Sequence, residues 1–237
     1  MRRIQVESLA SAIIPLGAAE AHHLLRVLRM SGGTVVHAFD GHGVEAQCRL
    51  QLRDGVAMLV RTGPLVQHEV AARVHLVLAV SRGPAMDEAV RMATECGATD
   101  LHLVRTARSP PTGDRVDRWL RKATAAARQS GRTTVPALAV ASSLAQALQA
   151  TEDAPLWVAC PGGMHAPSRA GRTAAIVVGP EGGLTPAEVE QCVDAGGRRC
   201  TLGPHILRVE TAVAVGVAAL SVSTGGRAGD GAASKAL

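Results

Sequence analysis

From residue 74 onward, short apolar runs alternate with segments of helical periodicity, and this alternation constrains the fold more than any other feature of the chain. The predicted strands cover residues 74–80, 101–104, 156–160, 174–178 and 199–202. The predicted helices cover residues 86–96, 114–129, 143–149, 186–195 and 210–222. Because strands that alternate with helices pair side by side, the pattern predicts an α/β fold with a mostly parallel sheet covered on both faces.

Residues 1 to about 65 have a different pattern of apolar and turn residues, which is typical of a small β-rich unit with one helix. The helix is predicted over residues 18–30, and Gly32-Gly33 ends it. Strands predicted at 34–39, 44–52 and 56–62, with turns at 40–43 and 54–55, give two successive hairpins and so a small barrel or curled sheet. We therefore predict one domain over residues 1–70, a second over 71–223, and a disordered tail rich in Gly, Ala and Ser over 224–237.

Composition argues against several classes of protein. The only aromatic residues are Phe39, Trp119 and Trp157, which disfavours base stacking on aromatic platforms. The five cysteines are widely spaced and odd in number, which favours buried thiols over a disulfide frame or a zinc site. Adjacent His22 and His23 face different ways on a helix and lack a third ligand, so no metal is expected. The apolar runs are too short for a membrane span, and the N-terminal run is too interrupted for a secretory signal, which together predict a cytoplasmic protein.

A basic stretch runs from residue 105 to residue 132. It carries eight basic and two acidic residues, a local balance of +6, whereas the whole chain carries +5. Helical periodicity places Val116, Trp119, Leu120 and Ala123 on one apolar face of the helix. It leaves Arg115, Arg118, Arg121 and Lys122 toward solvent. Since most of them lack an acidic partner four residues away, the stretch predicts a surface for a polyanion such as RNA. The basic residues are Arg105, Arg108, Arg115, Arg118, Arg121, Lys122, Arg128 and Arg132.

Two glycine-bearing loops follow the last two predicted strands. Residues 178–183 have the sequence Val-Gly-Pro-Glu-Gly-Gly, and residues 202–211 have the sequence Leu-Gly-Pro-His-Ile-Leu-Arg-Val-Glu-Thr. The first loop is neither a P-loop nor the G-x-G-x-x-G dinucleotide fingerprint. Ligands of open α/β sheets bind beside the carboxyl ends of strands. The loops therefore predict a site for a flat, largely uncharged heterocycle such as adenine, held by main-chain hydrogen bonds.

The helix after the first loop has a well-defined start. Thr185 supplies a capping hydroxyl, Pro186 occupies the first helical position, and Glu188 lies three residues after the cap. This arrangement is a capping box. The glycine-bearing loop is thus predicted to end at a firmly fixed helix.

The paired loops resemble the signature of the RsmE family, SPOUT-superfamily methyltransferases that act on ring nitrogen N3 of a uridine in small-subunit ribosomal RNA. Further similarity to the family's PUA-like domain, first helix and mid-domain motif lies at residues 25–29, 39–43, 86–97, 128–132 and 135–136. The resemblance covers most of the chain. The sequence departs from the family at His205, where arginine is usual, and at Ser81-Arg82-Gly83, where a Pro-Lys-Gly type turn is usual.

The resemblance implies a SPOUT-type sheet with a deep trefoil knot, a PUA-like β-barrel domain before it, and a homodimer. The implied cofactor is S-adenosylmethionine, and the implied partner is 16S ribosomal RNA or the small ribosomal subunit. The cofactor-binding residues that it implies are Val178, Gly179, Glu181, Gly182, Gly183, Leu202, Gly203, Ile206, Leu207 and Thr211. With the charge map, the RNA-binding candidates are Arg26, Arg29, Arg82, Arg105, Arg108, Arg115, Arg118, Arg121, Lys122 and Arg132.

Methyl transfer from a sulfonium requires an in-line attack and removal of the uridine imide proton. Arg208 or Arg128 is a candidate to stabilise charge on the base carbonyls. Glu210 is a candidate base, although a position at a helix start equally fits a plain cap. Two alternative functions stay open: a non-catalytic RNA-binding or ribosome-assembly protein with the same fold, and a SPOUT methyltransferase acting on tRNA or on a ribose 2′-hydroxyl.

Overall fold

The computed structural model describes residues 2–53, 56–69, 72–111, 115–163, 166–169 and 171–222, which form two six-stranded sheets. The turn predicted at 54–55 and the disordered tail predicted at 224–237 lie outside the described residues. Within the described part, every helix is too short or too polar to cross a membrane.

The first sheet is formed by the N-terminal residues and surrounds its own core. Its strands are β1 (Arg3–Gln5), β2 (Ile13–Pro15), β3 (Val35–Phe39), β4 (Val44–Arg53), β5 (Val56–Arg61) and β6 (Val66–Gln67). The strand order is β1-β3-β4-β5-β2, with β6 paired to β4, and every pairing except β1 with β3 is antiparallel. Val36, Cys48, Leu50 and Leu59 are fully buried between the strands. Both predicted hairpins are present, whereas the short strands β1, β2 and β6 were not predicted.

The helix predicted over residues 18–30 is shorter and less regular than its sequence indicates. It consists of α1 (Ala18–His22), which continues into a π-helical segment (His23–Val27) whose buried residue is Leu24. The chain leaves this segment through Arg29, a non-glycine residue at φ +52°. π-Helical turns widen a helix by one residue per turn, which explains why the apolar spacing departs from 3.6.

The second sheet is entirely parallel. Its strands are β7 (Arg73–Ala79), β8 (Asp100–Val104), β9 (Ala137–Ala141), β10 (Leu156–Ala159), β11 (Thr173–Val178) and β12 (Arg198–Cys200). The strand order is β12-β10-β11-β7-β8-β9. The predicted α/β class with a mostly parallel sheet is therefore confirmed. Only the edge strand β9 was missed, because its alanine-rich sequence carries little strand signal.

Helices cover both faces of this sheet, as predicted. They are α2 (Gly83–Cys96), α3 (Val116–Ser130), α4 (Leu144–Gln149), α5 (Pro186–Asp194) and α6 (Val209–Ser221). One face, with buried Leu76 and Ile176, packs against α2, α3 and α6, and the other, with Val77 and Val158, packs against α4 and α5. Because all strands run the same way, their carboxyl ends form one edge of the sheet and their amino ends the other.

The last part of the chain crosses the carboxyl edge of the sheet. Strand β12 lies at the outer edge beside β10, whereas α6 packs against α2, β7 and β11, so residues 201–208 span the ends of the strands between them. The segment between β10 and β11 contacts this path twice. The backbone at Gly163 abuts that of Cys200, and Nε of Arg169 donates to the carbonyl of Leu220 at 2.7 Å. The resemblance places the trefoil knot at this crossing.

The five cysteines, all within the described residues, are free thiols. Cys48, Cys192 and Cys200 are buried, and Cys96 and Cys160 are half-buried. Burial raises the pKa of Cys192 and of Cys200 to about 12, so neither is a thiolate at neutral pH. The prediction of buried thiols in place of a disulfide frame is confirmed.

The two sheets are joined by backbone hydrogen bonds at one turn, residues 40–43. The amide of Gly43 donates to the carbonyl of Thr133 at 3.1 Å, and the amide of Val135 donates to the carbonyl of Gly41 at 2.9 Å. Gly41 and Gly43 have φ values of +82° and +108°, which favour glycine. The turn therefore fixes the first domain against the amino edge of the second sheet.

Gly43→Ala is expected to destabilise the protein by about 2–4 kcal/mol, and Gly33→Ala by only about 1 kcal/mol. Both positions have positive φ, but a Cβ at Gly43 would lie 3.0 Å from the carbonyl oxygen of His68, whereas one at Gly33 meets no atom within 4 Å. Urea unfolding followed by circular dichroism measures the two losses. Equal losses would contradict the packing argument and leave backbone strain as the whole effect.

Candidate active site

Both glycine-bearing loops lie at the carboxyl edge of the parallel sheet, as predicted. The first, residues 179–185, follows β11 and leads into α5, and the second, residues 201–208, follows β12 and leads into α6. Strand β10 lies between β11 and β12 in the sheet. The second loop crosses the same edge on its way from β12 to α6, which packs on β11 and β7.

The first loop is held in a tight conformation by its own backbone. Gly183 has φ +70°, and its amide donates to the carbonyl of Pro180 at 2.8 Å. A Cβ on Gly179 would lie 2.9 Å from the amide nitrogen of Leu184, so the two ends of the loop are in direct contact. The capping box is present, since Thr185 and Glu188 exchange side-chain to backbone hydrogen bonds.

Neighbouring loops bind the first loop from the side. The backbone amide of Arg82, after β7, donates to Oε1 of Glu181 at 2.9 Å, and that of Ala107, after β8, donates to Oε1 of Glu188 at 2.7 Å. Burial acts to raise the pKa of Glu188, but hydrogen bonds from the amide of Ala107 and from the amide and hydroxyl of Thr185 hold it below its usual value. The carboxylates of Glu181 and Glu188 thus connect the first loop and the start of α5 to the loops after β7 and β8. The sequence indicates only the helix-capping role of Glu188.

Arg108, predicted as an RNA-binding residue, is exposed and also supports the first loop. Its Nη1 donates to the carbonyl of Gly182 at 2.7 Å, and its aliphatic stem fills the space where a Cβ of Gly182 would stand. The glycine at 182 is therefore explained by the arginine that packs on it. No local pattern could predict the contact, because 74 residues separate the partners.

The second loop is more open than the first. Thr201 Oγ1 donates to the carbonyl of Gly203 at 2.9 Å, and a Cβ at Gly203 would meet no atom within 4 Å. Ile206 has 91% of its surface exposed, and Leu207 is half-buried. Leu202 packs on the core near Gly216 of α6.

One predicted cofactor residue has its side chain elsewhere. Val178 is buried in the core beneath α2 and α6, so only its backbone is at the site. Strand alternation explains this placement, because Val178 and Ile176 point to the same face of β11. Glu181, Gly182 and Thr211, by contrast, are exposed or half-buried around the two loops.

The catalytic candidates separate into two groups. Arg208 is the N-cap residue of α6 and is exposed, and Glu210 lies in the first turn of the same helix. Arg128 lies at the C-terminal end of α3, near the opposite edge of the sheet, with Glu20 of α1 as its nearby acid. Burial lowers the pKa of Arg128, and its Nε atom is buried without a hydrogen-bond partner. Within one chain, Arg128 therefore lies away from the two loops.

The basic stretch is less uniform than its charge predicts. Arg115, Arg121 and Lys122 are exposed on α3, but Arg118 forms a bidentate ion pair with buried Asp87 of α2, with Nε to Oδ2 at 2.9 Å. Nη1 of Arg105 donates to the carbonyl of Pro110 at 2.9 Å. Three of the four side chains predicted toward solvent are therefore exposed, whereas Arg118 is half-buried and bound by a tertiary partner.

Two further corrections concern α3. Leu120, predicted on the apolar face, has 45% of its surface exposed, whereas Trp119 and Ala123 are buried as predicted. Arg132, after the helix, has Nη1 bound to the carbonyls of Thr94 at 2.6 Å and Ala98 at 2.8 Å. Its guanidinium therefore joins α3 to the end of α2 and is not part of the exposed helix face.

The remaining RNA-binding candidates are accessible. Arg26 and Arg29 are exposed on the first domain beside the π-helical segment, and the side chain of Arg82 is exposed beside the first loop. Among the described residues, no group of three His, Cys, Asp or Glu side chains is arranged to hold a metal ion. The arrangement at the carboxyl edge thus offers backbone groups, small residues and the exposed guanidinium groups of Arg82 and Arg208 to a ligand.

Comparison with known proteins agrees with this geometry. A family model described as an RNA methyltransferase domain matches residues 68–221, and one described as an RNA methyltransferase PUA domain matches residues 16–54. The chain is 32% identical over 228 residues to ribosomal RNA small subunit methyltransferase E of Bacillus subtilis (strain 168), covering 86% of this chain and 88% of that protein. It is 31% identical over 232 residues to the protein of that name from Mycobacterium tuberculosis (strain CDC 1551 / Oshkosh), covering 90% and 87%.

A solved structure extends the likeness to three dimensions. The crystal structure of ribosomal RNA small subunit methyltransferase E from Neisseria gonorrhoeae, bound to S-adenosyl methionine, superposes with a TM-score of 0.78 at 29% identity. The match covers 92% of this chain and 96% of that chain.

Proposed function

This chain belongs to the ribosomal RNA small subunit methyltransferase E family, and we propose that it transfers a methyl group from S-adenosylmethionine to N3 of a uridine in 16S ribosomal RNA. The observation that carries this proposal is the match over 92% of the chain to the gonococcal relative solved with S-adenosyl methionine. The fold is the SPOUT-type parallel sheet preceded by a PUA-like domain. The two loops at the carboxyl edge supply the site for the methyl donor.

The residues of the two loops fit such a ligand. Open space borders the backbone at Gly183 and Gly203, where a Cβ would meet no atom within 4 Å. Main-chain amides and carbonyls beside small residues can hydrogen-bond the edge of an adenine, and exposed Ile206 offers apolar cover for its face. Glu181 and Arg108 keep the first loop in place without occupying this space.

When bound, S-adenosylmethionine supplies a methyl group that is already activated by its sulfonium. The protein must therefore orient the uridine and accommodate the proton lost from N3. We assign Arg208, at the start of α6, to the stabilisation of negative charge on the base carbonyls. We assign Glu210, two residues later in the first turn, to acceptance of the imide proton.

RNA binding is assigned to both domains. Residues 1–70 and 71–223 are proposed as an RNA-binding and a catalytic domain, supported by the separate cores of the two sheets. Arg26 and Arg29 on the first domain, and Arg121 and Lys122 on α3, are exposed cations suited to phosphates. The PUA-like domain then binds the RNA around the target, while the carboxyl edge carries the base.

We also infer that the protein is a homodimer. Thr211, Val215 and Val222 form an exposed stripe on and just after α6, and exposed Ile206 lies near its start. An apolar stripe beside a ligand site is the kind of surface that a second copy covers. Sedimentation equilibrium measures the mass directly, and a monomer at micromolar concentration would contradict the inference.

Mass spectrometry of ribosomal RNA nucleosides tests the proposed reaction. Deleting the gene should remove 3-methyluridine from 16S ribosomal RNA, and the purified protein with S-adenosylmethionine should restore it. Unchanged 3-methyluridine would rule out the reaction. Loss of a tRNA or ribose methylation would instead identify another substrate, and absence of S-adenosylmethionine binding would identify a non-catalytic RNA-binding protein.

Arg121→Gln is expected to weaken RNA binding and to reduce the slope of log K against log salt by about 0.7, because one phosphate contact is lost. Fluorescence anisotropy at several salt concentrations measures both changes. The matched control is the double variant Arg118→Gln/Asp87→Asn, which removes a neutral ion pair from the adjoining surface and leaves the net charge unchanged. If the control changes RNA affinity as much as Arg121→Gln does, free charge on α3 is not what RNA contacts.

A further inference from the structure

A cavity lies at the amino edge of the parallel sheet, on the side away from the two glycine-bearing loops. Its volume is about 460 Å³, and it lies between the turn at residues 40–43 and the first residues of β7, β9 and β11. Residues of both domains line it, among them His42, Arg73, Thr134, Arg132 and Arg172. We call it the amino-edge cavity.

The charges that line the amino-edge cavity are predominantly positive. The Nε and Nη2 atoms of Arg73 donate to the carboxylate of Asp100 at 3.0 and 2.9 Å. Arg132 and Arg172 add two more guanidinium groups. Three guanidinium groups thus line the cavity, a composition that suits an anionic ligand.

Arg132 supplies the most specific evidence that the cavity binds an anion. Its guanidinium is bound by the neutral carbonyls of Thr94 and Ala98 and by the hydroxyl of Thr134 at 3.3 Å, with no acid among its partners in the described part of the chain. Burial alone accounts for the lowered pKa of Arg132, yet an arginine keeps its charge. A partly buried cation without a counter-charge is costly, and an anion in the cavity would offset that cost.

The polar groups around Arg132 suit a tetrahedral oxyanion. Thr134 Oγ1 accepts from Arg132, so the hydroxyl hydrogen of Thr134 remains able to donate. Arginine guanidinium groups match phosphate oxygens with paired hydrogen bonds. Chloride or a carboxylate would use the same charge but fewer of these donors.

The turn at residues 40–43 covers the cavity and is fixed in a position that keeps the cavity open. The turn over it is held to Thr133 and Val135 by backbone hydrogen bonds of 3.1 and 2.9 Å, so the distance between the domains is fixed at this point. His42, at the tip of the turn, is exposed at the mouth of the cavity. The cavity is therefore a built feature of the junction between the domains.

We propose that the amino-edge cavity binds a phosphate group, at a site separate from the methyl-donor site. The same chemistry is offered by a backbone phosphate of RNA and by free phosphate or a small phosphorylated molecule. In the first case the site holds RNA at the edge of the sheet opposite the reacting base. In the second it is an independent ligand site between the domains.

Titration with inorganic phosphate, monitored by isothermal calorimetry, tests the site itself. Wild-type protein should bind one phosphate per chain, and Arg172→Glu, which places a carboxylate at the cavity, should weaken binding by roughly tenfold or more. Arg198→Glu is the matched control, because it makes the same charge change on β12, outside the cavity, where Arg198 stacks on Trp157. Thr134→Val is a second variant that removes the hydroxyl without a change of charge and should also weaken phosphate binding.

Labelled single-stranded RNA then distinguishes the two sources of phosphate. If RNA occupies the cavity, Arg172→Glu lowers RNA affinity more than Arg198→Glu does, and inorganic phosphate competes with RNA in the wild type and in Arg198→Glu but not in Arg172→Glu. If phosphate binds but RNA affinity is the same in the two variants, the ligand is a free phosphate compound. Absence of saturable phosphate binding, or equal phosphate binding by Arg172→Glu and Arg198→Glu, would overturn the proposal. S-Adenosylmethionine binding reports separately on the methyl-donor site and should be the same in all four proteins.

Discussion

Gly179→Ala is expected to weaken S-adenosylmethionine binding by at least about 100-fold, because the alanine side chain would overlap the backbone of the first loop and force the loop to change its conformation. The new Cβ would lie 2.9 Å from the amide nitrogen of Leu184 and 3.1 Å from the carbonyl carbon of Gly183. These atoms belong to the backbone, so relief of the overlap must move the loop as a whole. Displacement of backbone amides removes the hydrogen bonds on which an adenine in this site depends.

Gly196→Ala, between α5 and β12 and outside both loops, is the matched control. Its φ is +87°, and its Cβ would meet no atom within 4 Å, so the substitution costs about 1 kcal/mol of backbone strain without an overlap. Calorimetric titration with S-adenosylmethionine should show near-normal affinity for Gly196→Ala and none measurable for Gly179→Ala. Similar affinities for the two variants would mean that the loop backbone is not the binding surface.

Arg208→Ala is expected to lower kcat by about 100-fold or more while the affinity for S-adenosylmethionine changes little. The exposed guanidinium at the start of α6 is assigned to charge that develops only as the imide proton leaves, so its removal affects the transition state more than the ground state. Arg208→Lys keeps the positive charge and should recover part of kcat.

Single-turnover kinetics with saturating RNA measures the effect on the chemical step. Arg198→Ala removes another exposed arginine near the end of the chain and should retain kcat. If Arg208→Ala instead raises KM for RNA and leaves kcat intact, Arg208 binds the substrate and does not stabilise the reaction. Glu210→Gln, tested alongside, should lower kcat only if its carboxylate accepts the proton.

Much of the fold follows from local pattern. Apolar runs between helical segments predicted β7, β8, β10, β11 and β12, since buried parallel strands need little more than length and apolar character. Strand β9 was not predicted, because the segment Ala137–Ala141 is alanine-rich and largely exposed. The order of the strands in the sheet could not be predicted by pattern at all, because it depends on contacts between segments far apart in sequence.

The sequence predicts where the two loops lie, but it does not predict the side-chain contacts that hold the first loop in place. The glycine spacing identified both loops, and the capping box was correct in detail. Arg108 and Arg118 were taken for free surface cations because their partners, the carbonyl of Gly182 and the carboxylate of Asp87, are 74 and 31 residues away. Charge counted along the chain cannot distinguish an arginine that binds RNA from one that binds the protein itself.

The path of the chain across the carboxyl edge also determines when a newly made protein can complete its fold. Residues 201–208 and α6 are synthesised after all the strands, yet Val209, Val213, Val217 and Leu220 complete the core over β7 and β11. A chain that ends before residue 201 would lack both the second loop and α6, and it would expose an uncovered sheet face to aggregation. Completion of the second sheet therefore depends on residues that are synthesised last.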